Sequence, residues 1–268
     1  LKHKPSIEFN YKEKKEGENY LKKIGFENKK FFTFASRTSE FHNFDSIINN
    51  WTKSIDKDDS VRNANINNEL LGIKFLVSKG YQAIRMGKYH SNKIDFSDTN
   101  IIDYATSDDR SDFLDIYLAS KCEFMISGST GITSLAALFR KPCLVIDEFN
   151  PHDLDRLPER VMLLLKKIKN LKTGKLISFQ EAYEKKLNYL SGTSELNKLG
   201  YELIDNSELE IKKAVESFFN LANNNFSLEE ILQKQEKYWQ NIEENFGFKN
   251  KKTIICPDFY SNNNNLFE

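Results

Sequence analysis

Three features of this 268-residue chain predict an α/β fold: a Rossmann-like, mostly parallel sheet flanked by helices, with a helical C-terminal region. Strand-like apolar runs alternate with helix-periodic segments from about residue 28 to residue 150. Residues 122–147 read as strand, small-residue turn, helix and strand, which is one βαβ unit. After the pair Asn150-Pro151 the pattern turns predominantly helical.

Taken in order, residues 1–27 are polar and rich in Lys and Glu, with a helix expected near residues 17–24. Residues 31–36 read as a buried strand ending at Arg37, in a polar loop that holds His42, Asn43 and Asp45. A short helix over 47–51 and an exposed loop over 53–64 follow. Residues 66–79 have helical spacing at Leu70, Ile73 and Val77, stopped by Gly80 at the C′ position. Residues 81–86 are the next strand, closed by Gly87, and 101–104 a short one. Residues 112–120 are helical, with Phe113, Ile116 and Tyr117 apolar. Helices are expected over 159–169, 178–190, 207–222 and 227–245, with a strand only over 202–204. The last twenty residues are Asn-rich and expected to be loose.

Composition narrows the function. Lys+Arg and Asp+Glu number 39 each, so the zero net charge gives no case for nucleic-acid binding. The three cysteines, Cys122, Cys143 and Cys256, show no metal spacing, and the first two fall in strands where Cys acts as a small hydrophobe. A reducing, cytoplasmic setting is the expectation. No apolar run has bilayer-spanning length, and no signal-peptide pattern is present. The chain opens on Leu1 and is expected to be a fragment.

Functional groups of a parallel sheet gather at its strand C-termini. The turn Ser127-Gly128-Ser129-Thr130-Gly131 opens a helix there. Free amides and the positive dipole end favour phosphate, the glycines admit close approach, and Ser129 and Thr130 add hydroxyls. The alternative is a tight strand-to-helix connection with a Ser/Thr cap. Arg37 follows the first strand, Arg62 lies in a loop before a helix, and Arg85 ends the second strand just before Gly87. Guanidinium forks at these places suit a diphosphate. For Arg85 the alternative is a structural pair with Asp95 or Asp103. Asp103 and Tyr104 end the third strand and are candidates for base or ribose contact, or for a turn. Asp112 and Asp115 are read as helix-start carboxylates. The pairs Asp56/Asp58 and Asp153/Asp155 match a metal-holding DxD pattern, but neither follows an apolar strand. His3, His42, His90 and His152 show no metal spacing; His42, near Arg37, is the candidate general base or phosphate partner, with a solvated loop histidine as the alternative.

The ordered set Ser36-Arg37, Arg62-Asn63-Ala64-Asn65, residues 83–87, Ile102-Asp103-Tyr104, residues 111–115, residues 127–131, Pro142 and Asn150-Pro151 resembles a family of bacterial glycosyltransferases of surface-polysaccharide biosynthesis. Residues 175–181 and 204–211 extend the likeness, which covers about residues 28–220. The resemblance implies a GT-B-like nucleotide-sugar domain of the C-terminal type, related in pattern to fucosyltransferase folds. It implies a nucleotide-sugar donor, a surface-glycan or lipid-linked acceptor, and no obligatory metal or other cofactor. Arg37 would bind the donor phosphates, the 127–131 turn would cradle the diphosphate, and residues 85–87 would line the donor pocket. Relatives often carry His two residues before the strand-ending Arg, and Ala35 stands there. On this reading residues 1–27 are the remnant of a truncated acceptor domain and 28–150 the donor domain. Residues 151–245 are then a helical extension and 246–268 a tail, and the protein meets membranes at most peripherally, at the inner face. The same sheet edge also suits a nucleotide-sugar epimerase or another nucleotide-binding enzyme, and a degenerate, non-catalytic transferase module.

Overall fold

The computed structural model describes residues 5, 7–38, 40, 59–88, 94, 96–149, 161–223, 227–246 and 253–267. The candidates His3, His42, His90, His152 and Asp95, both DxD pairs and the expected 47–51 helix lie outside the described residues.

The chain is α/β. Seven strands form one sheet: β1 (Phe31–Ala35), β2 (Gln82–Arg85), β3 (Ile101–Asp103), β4 (Met125–Ser127), β5 (Cys143–Glu148), β6 (Val161–Leu165) and β9 (Ile254–Ile255). Their order is β3-β2-β1-β4-β5-β6-β9, and every neighbouring pair is parallel. The chain winds from β1 to β3 in one direction and from β4 to β6 in the other, so the order reverses between β1 and β4. In open α/β sheets that reversal opens a crevice at the strand C-termini.

Both faces of the sheet are covered, which is why its strands are apolar throughout. Phe32, Phe34, Leu144, Val145 and Ile146 are fully buried. One helix layer includes α2 (Leu70–Ser78) and α7 (Glu208–Ala222), which cross closely. A Cβ on Gly72 would lie 2.8 Å from Val215 Cγ2, so glycine sets their approach. Helix α1 (Tyr11–Lys23) begins well before residue 17, because Asn10 and Glu13 form a reciprocal capping box. It packs toward α3 (Asp112–Lys121). Helix α4 (Thr133–Leu138) follows β4.

Two local expectations are corrected. The sequence pattern predicts a helix over 159–169, but 161–165 form β6, and 167–170 form β7 (Lys167–Asn170). An apolar run of this length carries no visible period, and burial on both sheet faces decides for strand. Helix α5 (Phe179–Glu184) then covers only the first part of the expected 178–190, helix α6 (Thr193–Lys198) forms where none is expected, and the predicted strand follows as β8 (Tyr201–Ile204). β8 pairs antiparallel with β7 in a small lobe. The second correction concerns the C-terminal residues, which are not loose where described. β9 closes the sheet edge, followed by α10 (Pro257–Asn262). Gln235, between α8 (Leu228–Lys234) and α9 (Glu236–Phe246), supplies the missing strand partner. Its side chain donates to Ile255 O at 2.7 Å and accepts from Ile255 N at 2.8 Å.

The three cysteines are free and buried. Burial pushes the thiols of Cys122 and Cys143 up to about 11 and about 12, so they stay protonated packing groups.

Candidate functional site

A cleft of about 380 Å³ opens at the β1/β4 reversal. Its wall takes Ala35, Ser36, Arg37 and Thr38 from the end of β1, and Gly87 and Lys88 from the end of β2. Arg110 and Asp115 come from the start of α3, Thr130, Gly131 and Ile132 from the turn after β4, and Asp59 and Arg62 from a further loop. Among the described residues, Arg37, Arg62, Lys88 and Arg110 face two carboxylates there, Asp59 and Asp115, so this part of the lining carries excess positive charge.

One end of this cleft is built around Asp59. Arg37 Nη2 lies 2.8 Å from Asp59 Oδ2 and Arg62 Nη1 lies 3.1 Å from the same oxygen. Arg37 Nη1 also donates to Asp59 O at 2.8 Å, and Arg62 Nε donates to Ser129 O at 2.9 Å. Two guanidiniums thus share one carboxylate, and Arg62 ties the pair to the turn after β4. Burial first, and the nearby Arg62 second, pull the Arg37 pKa below its usual value, the mark of concentrated positive charge. Arg62 Nη2 donates to nothing among the described residues.

The turn itself supplies backbone donors. The amide of Gly128 is held by Ala35 O, and those of Thr133, Ser134 and Leu135 by the carbonyls of Thr130, Gly131 and Ile132. Among the described residues, the four consecutive amides between them, Ser129 to Ile132, donate to no carbonyl. Such a row of amides is an anion-binding concavity. Helix α4 is only six residues long and begins without a side-chain cap, so these amides rather than a long helix dipole carry the attraction.

The sequence-predicted residues divide three ways. Arg37, Arg62, Gly87, Thr130 and Gly131 line the cleft, and Ser129 and Gly128 belong to the turn beside it. Ser127 is fully buried, its hydroxyl 2.6 Å from Thr133 Oγ1 and bonded to Gly128 O, so it braces the turn from beneath. Arg85 and Asp103 do not line the cleft. They form a buried pair, 2.9 Å apart, with side chains 3% and 5% exposed. Tyr104 is buried, its hydroxyl bonded to the backbone of Ser111. The third group is His42, outside the described residues. Neither Gly128 nor Gly131 needs a left-handed backbone, whereas Gly87, at φ 144, does.

The structure adds Asp59, Lys88 and Arg110, which sequence reasoning passed over, and brings to the cleft Ser36, met in the sequence only within the Ser36-Arg37 motif, and Asp115, whose place in the first turn of a helix gave it a local explanation. Beneath the floor, the Ser36 hydroxyl donates to buried Glu69. Burial pushes the Glu69 carboxyl up to about 8, Ser36 opposing and Asp147 reinforcing the shift. Among the described residues, no group of three or more His, Cys, Asp or Glu is placed to hold a metal ion. Nor is any helix of the described residues long and apolar enough to cross a membrane.

No family profile and no curated protein matches the chain. Among solved structures, E. coli ADP-heptose LPS heptosyltransferase II aligns over 59% of this chain and 44% of its own length, at 13% identity and a TM-score of 0.40. The dodecameric iron-containing heptosyltransferase TibC aligns over 50% of this chain and 31% of its own, at 13% identity and a TM-score of 0.34. The chain therefore spans less than half the length of either neighbour.

Proposed function

We propose that this chain carries the donor site of a glycosyltransferase, which transfers sugar from a nucleotide-sugar donor to a surface-glycan or lipid-linked acceptor without an obligatory metal. The observation that carries the reading is the convergence of Arg37, Arg62 and the unpaired amides of residues 129–132 on one cleft, at the point where the sheet order reverses. A diphosphate needs several fixed positive or donor groups, and this end offers two guanidiniums against one carboxylate. When the sugar departs, charge develops on the diphosphate, and preorganised donors lower the barrier by meeting it. In many nucleotide-sugar enzymes a divalent cation supplies that charge, and here Arg37 and Arg62 take the role. The motif order that resembles bacterial glycosyltransferases supports the same reading, because its residues 36–37, 62–65, 87 and 127–131 meet around this cleft or in the turn beside it. The acceptor, and its delivery at the inner face of the membrane, rest on that resemblance.

The test is a thermal-shift panel of UDP, GDP, CMP, dTDP and ADP, with and without EDTA. A ligand that binds only the folded state raises the midpoint by mass action. A selective rise that EDTA leaves intact is expected. No rise with any nucleotide, or a rise that EDTA abolishes, overturns the corresponding half of the reading. In a transfer assay, Arg37→Ala is expected to lower the rate on the order of a hundredfold. Conversion of the free sugar nucleotide without an acceptor would identify an epimerase-type enzyme instead. Binding without turnover would identify a non-catalytic module.

A further inference from the structure

The β7–β8 lobe carries a surface that the cleft does not use. Its first strand lies in the run Lys166 to Lys175, which holds five lysines and no carboxylate. Lys166 pairs with Asp205, Lys167 with Glu210 and Lys169 with Glu202. Lys172 and Lys175, in the turn after β7, and Lys198, at the end of α6, form no ion pair among the described residues. At this tip, residues 169–176 and 195–202, Lys169, Lys172, Lys175 and Lys198 stand against Glu195 and Glu202, so the charge is positive.

The same tip exposes leucines. Leu171, Leu176 and Leu199 are 47%, 42% and 59% exposed, while Ile168, Ile177 and Leu196 beside them fill the lobe's core. The backbone fixes where the three stand. Asn170 Oδ1 accepts from the amides of Lys172 and Thr173 at 2.9 and 3.2 Å, and Gly174, at φ 70, donates its amide to Asn170 O at 2.8 Å. Leu176 bridges Lys169 across this turn. Leu171 N donates to Gly200 O at 2.8 Å, which sets the turn beside the Leu199-Gly200 link between α6 and β8. A single exposed leucine is ordinary, but three on adjoining turns among unpaired lysines mark an interaction surface.

We propose that the 171–176 turn and Leu199 dock this chain onto an anionic membrane surface, with Lys172, Lys175 and Lys198 among the headgroups. A bilayer boundary is one medium that satisfies both halves of the tip. Leucines enter the acyl edge, lysine stems lie along apolar surface with their ammonium groups in the polar layer, and anionic headgroups supply the opposite charge. The lobe also bonds to Ser60 and Val61, next to the cleft residues Asp59 and Arg62, so docking tethers the cleft to the bilayer. The inference stands on this surface and not on the donor reading.

Vesicle flotation of the full chain tests it, with phosphatidylcholine alone and with about a third of the lipid replaced by phosphatidylglycerol. The chain is expected to float with the anionic vesicles, not with the neutral ones, and to be released as salt rises. Lys172→Glu, Lys175→Glu and Lys198→Glu together should lower vesicle affinity at least about a hundredfold, since each lysine near such a surface is worth about a factor of five. Leu171→Ser with Leu199→Ser should lower it at least about tenfold. An independent readout needs neither variant: Leu199→Trp should shift its emission to the blue on anionic vesicles, read against wild type. Absence of vesicle binding, equal binding to both vesicles, or a charge-reversed protein that floats like wild type overturns the proposal. Capture by polyglutamate without vesicle binding assigns an acidic protein partner instead and also overturns it. Each of these results leaves nucleotide binding standing, and failure of the nucleotide panel leaves this surface standing.

Discussion

Replacing Glu69 by Gln isolates the buried acid under the cleft. Glu69 is 1% exposed and accepts from Ser36, a residue of the cleft wall. Burial is the main cause that raises its carboxyl from 4.5 to about 8; Asp147 adds to the shift, and the Ser36 hydrogen bond and Arg85 oppose it. The folded pKa lies above the unfolded one, so the folded state keeps a proton that the unfolded chain releases above about pH 4.5. The stabilisation is therefore fully present in acid and is lost as pH rises toward 8. Inside that window each pH unit costs about 1.4 kcal/mol. Gln retains the neutral, hydrogen-bonding shape and has no proton to lose. In urea unfolding at pH 5, 6, 7 and 8, the stability difference, wild type minus Glu69→Gln, should fall by about 4 kcal/mol across the series. Asp147, also raised by burial, adds a slope of the same sign to both proteins, most of which the subtraction removes. Stability curves that run parallel from pH 5 to 8 would refute the argument, because they would mean that Glu69 titrates alike in the folded and unfolded states.

Two further predictions concern the scaffold. Asp103→Ala removes one carboxylate partner of the buried Arg85 guanidinium and takes the partner from Ile94 N, which donates to Asp103 Oδ2 at 2.9 Å. A loss of about 3–5 kcal/mol is expected in urea unfolding. Unchanged stability together with lost nucleotide binding would instead assign the pair to the ligand. Gly17→Ala drives a Cβ into the ring of Tyr117 at Cε1, where α1 meets α3. Displacing that ring should cost about 2 kcal/mol, outweighing the gain of about 1 kcal/mol from Ala in a helix. A raised melting temperature would show that Tyr117 moves aside freely.

How much was legible follows from what kind of signal each residue carried. The first strand, the turn after β4 and Arg37 were readable because they are local: an apolar run, small residues, then a charge at a strand C-terminus. The strands around residues 82–85, 101–103 and 143–148 were readable for the same reason. Arg85 was not decidable from sequence. Its pairing with Asp103 depends on the β2–β3 register, which sets those two residues side by side, and no local pattern shows a register. Residues 161–165 misled because an unbroken apolar run fits a buried helix as well as a buried strand. Arg110 was invisible for a different reason. Its partners Asp112 and Asp115 already had a sufficient local explanation at a helix start, and its tie to Gly87 spans 23 residues. Asp59 lies in a loop with no periodicity, and only the fold brings it between Arg37 and Arg62.

That position of Asp59 is held from outside the cleft, which makes the small β7–β8 lobe part of the site. Val61 is fully buried and packs in the lobe's own core with Ile168, Leu187 and Leu196. Its amide donates to Ser191 O at 3.2 Å, while Ser60 Oγ lies 2.7 Å from Thr193 Oγ1 and accepts from Thr193 N at 2.9 Å. The lobe thus grips Ser60 and Val61, and Asp59 and Arg62 on either side project to the cleft. Val61→Ala removes two methyl groups from that grip and touches no cleft residue's side-chain chemistry. A destabilisation of about 1–3 kcal/mol is expected, with nucleotide affinity falling severalfold at a temperature where the variant remains folded. The drop should be larger than any caused by an equally destabilising substitution in α8 or α9. A Val61→Ala protein with a lower melting temperature but wild-type affinity would show that the lobe contributes stability alone, and that Arg37 and Arg62 hold Asp59 in place without it.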